Sequence, residues 1–87
     1  MSLATPASLP MFFRETLEEI NDQRRAEPTN ERLVDRLKKQ ATLANRAILA
    51  ADDPAQIVQE LVQVAALAAR IAAEGDPAFP KYRWPYE

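Results

Sequence analysis

The feature that most constrains this chain is the stretch from Leu61 to Ala73, where every residue is apolar except Gln63 and Arg70. Its boundaries are helical. Asp53 is placed to cap, Pro54 occupies a first helical position, Gln56 stands three residues after the cap, and Gly75-Asp76-Pro77 closes the segment. A helix apolar nearly all round is buried nearly all round. Its polar residues Glu60, Gln63, Arg70 and Glu74 share a narrow stripe. One apolar flank runs through Ile57, Leu61, Val64, Ala68 and Ile71, the other through Val58, Val62, Ala65 and Ala69. Two further helices of one short chain are not expected to cover all of this surface. Association with another copy is therefore expected, through Val58, Leu61, Val62, Ala65 and Ala69, joined by Trp84.

The prolines divide the rest. Residues 1–8 read as a loose leader of small, uncharged residues, and 9–75 as a single helical domain. A first helix is expected over about 9–26. Ser8 can cap it, Pro10 is tolerated in its first turn, and Phe13, Leu17 and Ile20 form one apolar stripe. It should stop before Pro28. Thr29 or Asn30 is expected to cap a second helix over about 31–50, with Leu33, Leu37, Ala41, Ala44 and Ile48 on one face. The third covers about 54–74. No period-two alternation or hairpin turn argues for strands. Residues 76–87 form an extended proline-rich arm with four of the six aromatics, Phe79, Tyr82, Trp84 and Tyr86. The expected class is all-α: a three-helix chain in an oligomeric bundle, with the aromatic arm packed on the bundle or on a partner subunit. Lys81 and Arg83 interleave with those rings, so a base-stacking role is the lesser reading of the arm.

Composition narrows the chemistry. The 87 residues include no cysteine and no histidine, and Gly75 is the only glycine. Thiolate and imidazole catalysis, His-based zinc sites and glycine-rich phosphate loops are excluded. A net charge of −2 gives no global attraction to nucleic acid or anionic membrane. No apolar run approaches a bilayer-spanning length, and Met1 to Pro10 has neither the basic start nor the apolar core of a signal peptide, so a cytoplasmic location is expected. Residues 1–30 carry three basic and five acidic groups, and residues 31–50 five basic and two acidic. An antiparallel pairing of the first two helices would set opposite signs side by side. The basic groups Arg32, Arg36, Lys38, Lys39 and Arg46 are the only candidate nucleic-acid patch, and that partner ranks last.

Two constellations could bind a metal. Glu15, Glu18, Glu19 and Asp22 share one helical stripe, and hard cations such as Mg²⁺ take oxygen ligands. The bland reading is a solvated helix face. Glu60 and Gln63 share a face of the third helix, and an ionisable group on the inner side of so apolar a helix is costly unless paired or metal-bound, which singles out Glu60.

Asp53-Pro54 followed by Gln59-Glu60-Leu61-Val62-Gln63-Val64-Ala65-Ala66 resembles the last conserved helix of small MazG-like proteins, of the all-α nucleoside triphosphate pyrophosphohydrolase superfamily. The resemblance covers about 20 residues. It implies helical chains packed as homodimers or homotetramers. It also implies two carboxylate pairs, Glu-x-x-Glu and Glu-x-x-Asp, holding Mg²⁺ to split a nucleotide between its α and β phosphates. Glu60 matches the first acid of the second pair, and Gln63 stands where its second acid belongs. The first pair would fall on Leu43 to Ala47, where no carboxylate occurs. The expectation is a MazG-like homo-oligomer that has lost ordinary pyrophosphohydrolase activity and binds a nucleotide or a protein. The alternatives are an active Mg²⁺-dependent enzyme, its site drawn from Glu60 and the first-helix stripe, and a plain interaction module.

Overall fold

The computed structural model describes residues 8–77. They form three helices, α1 (Ser8–Ala26), α2 (Leu33–Leu49) and α3 (Pro54–Glu74), with no β-strand among the described residues. The leading and arm segments, residues 1–7 and 78–87, lie outside them. The third helix is the hub: α3 packs against both others, whereas α1 and α2 hardly meet. Arg24 near the end of α1 bonds Glu74 at the end of α3, so these two run the same way. Val34 at the start of α2 bonds Asp76 beyond the end of α3, and Gln40 reaches Glu60, so α2 runs against α3. The expected α1–α2 charge pairing reduces to one cross-element contact, Arg36 to Glu27 at 3.4 Å.

The α2–α3 seam holds the core. Leu33, Leu67 and Ile71 are buried together with Leu37 packed against them, and Ala44, Ala47, Val62 and Ala66 are also buried. Each large side chain so placed contributes about 1.5–3 kcal/mol of transfer free energy. Part of the greasy surface of α3 is thus covered by its own chain, and Val62 is only 1% exposed.

The first helix packs on an unexpected face. Phe13 and Leu17 are 58% and 63% exposed, while Thr16 and Gln23 are buried. Thr16 tolerates this because its hydroxyl donates to the Phe12 carbonyl at 2.8 Å, one turn back. Gln23 donates through Nε2 to Glu19 at 3.1 Å.

The helix ends cap one another rather than themselves. Neither Thr29 nor Asn30 caps α2. Arg32 precedes it in the left-handed region at φ 62°, with no side-chain cap of its own. Instead the Val34 N–H donates to Oδ2 of Asp76 at 3.1 Å. Asn30 serves the other end, donating through Nδ2 to the Glu74 and Gly75 carbonyls at 3.1 Å each. Asp53 stands directly before Pro54, but its carbonyl rather than its side chain takes the first amides, from Gln56 and Ile57. Gly75 has φ 73° and ψ −173°, a positive-φ conformation with an extended ψ that is essentially open to glycine alone.

The end of α2 is a Schellman arrangement without its usual glycine. The Asp52 N–H bonds the Ala47 carbonyl and the Ala51 N–H bonds that of Ile48, which holds Ala51 at φ 54°. A Cβ at positive φ is strained. Ala51→Gly is therefore expected to stabilise the fold by roughly 0.5–1 kcal/mol, after allowing for glycine's freer unfolded state. A raised urea midpoint at unchanged slope is the result to look for; a lowered one contradicts the strain argument.

Candidate functional site

The densest polar cluster lies where α1, the loop after it and α3 converge. Arg70 is fully buried. Its Nη2 donates to the Glu27 carbonyl, the Thr29 carbonyl and Oε1 of Glu74, each at 3.1 Å, and its Nε donates to Oε2 of Glu74 at 3.2 Å. Arg24 joins from α1, its Nε 2.8 Å from the same Oε2. Nη1 of Arg70 and Oε1 of Gln23 are buried with no hydrogen-bond partner among the described residues. A guanidinium engaged this way ties the α1–α2 connection to α3; it is not presented to a substrate. Nothing in the pattern of residues pointed to this cluster, because two of its acceptors are backbone carbonyls.

Glu74 is the carboxylate of this junction. The hydrogen bond from Arg70 is the largest influence on it, and with Arg24 it outweighs the opposing effect of burial. Its pKa therefore lies below the ordinary value of 4.5. A carboxyl depressed in the folded state adds stability that is fully present above its unfolded pKa. That stability is lost as pH falls through the folded value. Thermal stability should therefore drop below about pH 4.5. In Glu74→Gln this part of the acid dependence should be absent; an identical acid profile in the variant would rule out the assignment.

The candidate metal ligands are not brought together. Glu60 is half-buried on α3 and accepts from Gln40 Nε2 at 2.6 Å and Gln56 Nε2 at 3.4 Å. On α1, Glu18 pairs with Arg14 at 3.6 Å, Asp22 with Arg25, and Glu19 accepts from Gln23. Glu15 is half-buried. Neither Glu60 nor the α1 carboxylates belong to any group of three or more side chains that could hold a metal ion, among the described residues.

The expected association residues are split. Val62 faces inward, Val58 and Ala65 are half-buried, Leu61 is 37% exposed and Ala69 is exposed. Trp84, like Phe79, Tyr82 and Tyr86, lies outside the described residues. Among the described residues, the outward face of α3 is a stripe of exposed Leu61, Ala68 and Ala69 with half-buried Ile57, Val58, Val64, Ala65 and Ala72, without a charge or a hydrogen-bonding side chain. The flanking helices expose apolar residues at helical spacing too: Leu9, Phe13 and Leu17 on α1, and Val34 and Ile48 on α2.

The outer face of α2 has the opposite character. Asp35, Lys38, Lys39, Thr42, Leu43 and Arg46 line an open depression. Among the described residues these three cations pair with no carboxylate. No helix of the described chain is long and apolar enough to cross a membrane. No family model, curated protein or solved structure matches this chain.

Proposed function

We propose that the chain is a self-associating helical binding module, a MazG-like homo-oligomer that works through its α3 surface rather than through pyrophosphate hydrolysis. One observation carries this reading: among the described residues α3 keeps an apolar stripe, exposed at Leu61, Ala68 and Ala69 and half-buried at its other positions, after both other helices have packed against it. A contiguous apolar face of this kind is a candidate interaction surface. The resemblance of α3 to the MazG-like helix supports the same assembly, since chains of that superfamily pair through helices. Glu60 is held by the Gln40 and Gln56 amides, which supports binding over metal chemistry.

Light scattering on the purified chain at micromolar concentration should give at least twice the 9.8 kDa of one copy. Leu61→Glu places a charge in the centre of the stripe and should return the mass to one copy with helical circular dichroism retained. A wild-type chain that remains a monomer at 100-fold higher concentration refutes the assembly. Release of pyrophosphate from nucleoside triphosphates with Mg²⁺, abolished by Glu60→Ala, refutes the non-catalytic reading.

A further inference from the structure

The outer face of α2 carries two adjacent rows at four-residue spacing: Asp35, Lys39 and Leu43 in one, Lys38, Thr42 and Arg46 in the other. Together they line the open depression. All six are exposed, Leu43 to 45%. Asp35 stands one turn before Lys38 and Lys39, at the spacing of a helical ion pair, yet neither pair is closed among the described residues. The Thr42 hydroxyl donates to the Lys38 carbonyl at 3.0 Å, so its proton is spent on the helix itself. The face therefore offers three free cations around one apolar side chain, with a single carboxylate at its N-terminal end.

The arrangement discriminates among anionic ligands. A small anion is poorly served. Pockets for small molecules enclose most of their ligand, whereas this depression is open and its cations spread over eight residues, about 12 Å of helix axis. A uniform polyanion, such as a nucleic-acid strand or an anionic lipid surface, meets Asp35 in the same depression and gains nothing from Leu43. None of the lining residues is an aromatic ring on which a base would stack. The chain's net charge of −2 adds no long-range attraction to either. A polypeptide, by contrast, changes side chain from one turn to the next. It can set acids opposite the cations, an apolar residue opposite Leu43 and a basic or neutral one opposite Asp35.

We propose that the outer face of α2 docks an acidic amphipathic helix of a partner protein, with carboxylates one turn before and one turn after an apolar residue that packs on Leu43. Charge complementarity selects this occupant. Rows at four-residue spacing leave between them a groove that takes the ridge of a second helix. The surface shares no residue with the α3 stripe, so the docking does not rest on self-association. An interface of this size belongs to the small, transient class, sensitive to salt.

The probe is a labelled peptide of glutamate, leucine and alanine, about 16 residues long so that it can be helical, with glutamates one turn either side of each leucine. Fluorescence anisotropy against the full chain should show binding that weakens at least about fivefold from low to high salt. Reversing Lys38→Glu and Lys39→Glu together should weaken it at least about tenfold. Helical circular dichroism and the light-scattering mass should stay as in the wild type, because both side chains are exposed and unpaired among the described residues. A peptide of the same charge with alanine for leucine should bind more weakly, and Leu43→Ser should erase that difference. No binding at millimolar chain, or binding untouched by the charge reversal, overturns the proposal. Equal or tighter binding of the leucine-free peptide, of a thymidine oligonucleotide or of phosphatidylserine vesicles also overturns it, and marks the face as a plain polyanion surface. A monomeric chain that binds the peptide in the expected way supports the docking and removes only the self-association reading.

Discussion

Arg70→Ala is expected to lower the stability of the fold by about 3–5 kcal/mol, the cost of breaking a buried charged pair by removing one partner. The side chain is fully buried and supplies four hydrogen bonds, two of them to the carbonyls of Glu27 and Thr29. Its loss leaves those carbonyls unpaired and opens a cavity at the point where the α1–α2 connection meets α3. In a domain of this size, whose whole stability is on the order of 5–10 kcal/mol, the melting temperature should fall by at least roughly 12 °C. Arg70→Lys tests the geometry. One ammonium cannot reproduce a planar fork that reaches three acceptor groups, so lysine should recover less than half of the loss. Urea unfolding at fixed protein concentration measures both variants. A loss under about 1 kcal/mol for Arg70→Ala would mean that the junction is ornamental.

Leu33→Ala should be nearly as damaging, at about 2–5 kcal/mol. Leu33 has no exposed surface and forms the core with Leu67 and Ile71. It is also the first residue of α2, so its truncation loosens the helix where its left-handed entry at Arg32 already lacks a side-chain cap of its own. Leu49→Ala is the control. At 77% exposed it should change stability by less than about 0.5 kcal/mol. Equal losses in the two variants would show that the α2–α3 seam is not the core of the molecule.

The three helices were legible because their punctuation is local. Pro28, Asp53-Pro54 and Gly75 through Pro77 act within a few residues of where they stand, and helical periodicity lies between them. The open apolar surface of α3 was legible for a compositional reason: its apolar residues occupy more of the circumference than two neighbours can cover. What escaped the sequence depends on distant parts of the chain. The inward face of α1 carries Thr16 and Gln23 in place of Phe13 and Leu17, because a threonine bonded to its own backbone and a glutamine bonded to the neighbouring turn can be buried at low cost. In the sequence Arg70 is one member of the narrow polar stripe of the third helix. Only the fold brings two loop carbonyls and Glu74 around it. Asn30 was legible as a cap former, but of α2; the helix ends that Asn30 and Asp76 serve lie more than 40 residues away.

That reciprocal arrangement has a kinetic side. The Val34 amide of α2 closes onto Asp76, 42 residues downstream, and the Glu74 and Gly75 carbonyls at the end of α3 close onto Asn30, 44 and 45 residues upstream. A chain emerging from the ribosome can form turns of α2 early, but it cannot seal their beginning until Asp76 has been made. Sequence-distant closures of this kind are slow relative to helix growth. The molecule should therefore lock in one late, concerted step, its two seals closing together at the same end of the bundle.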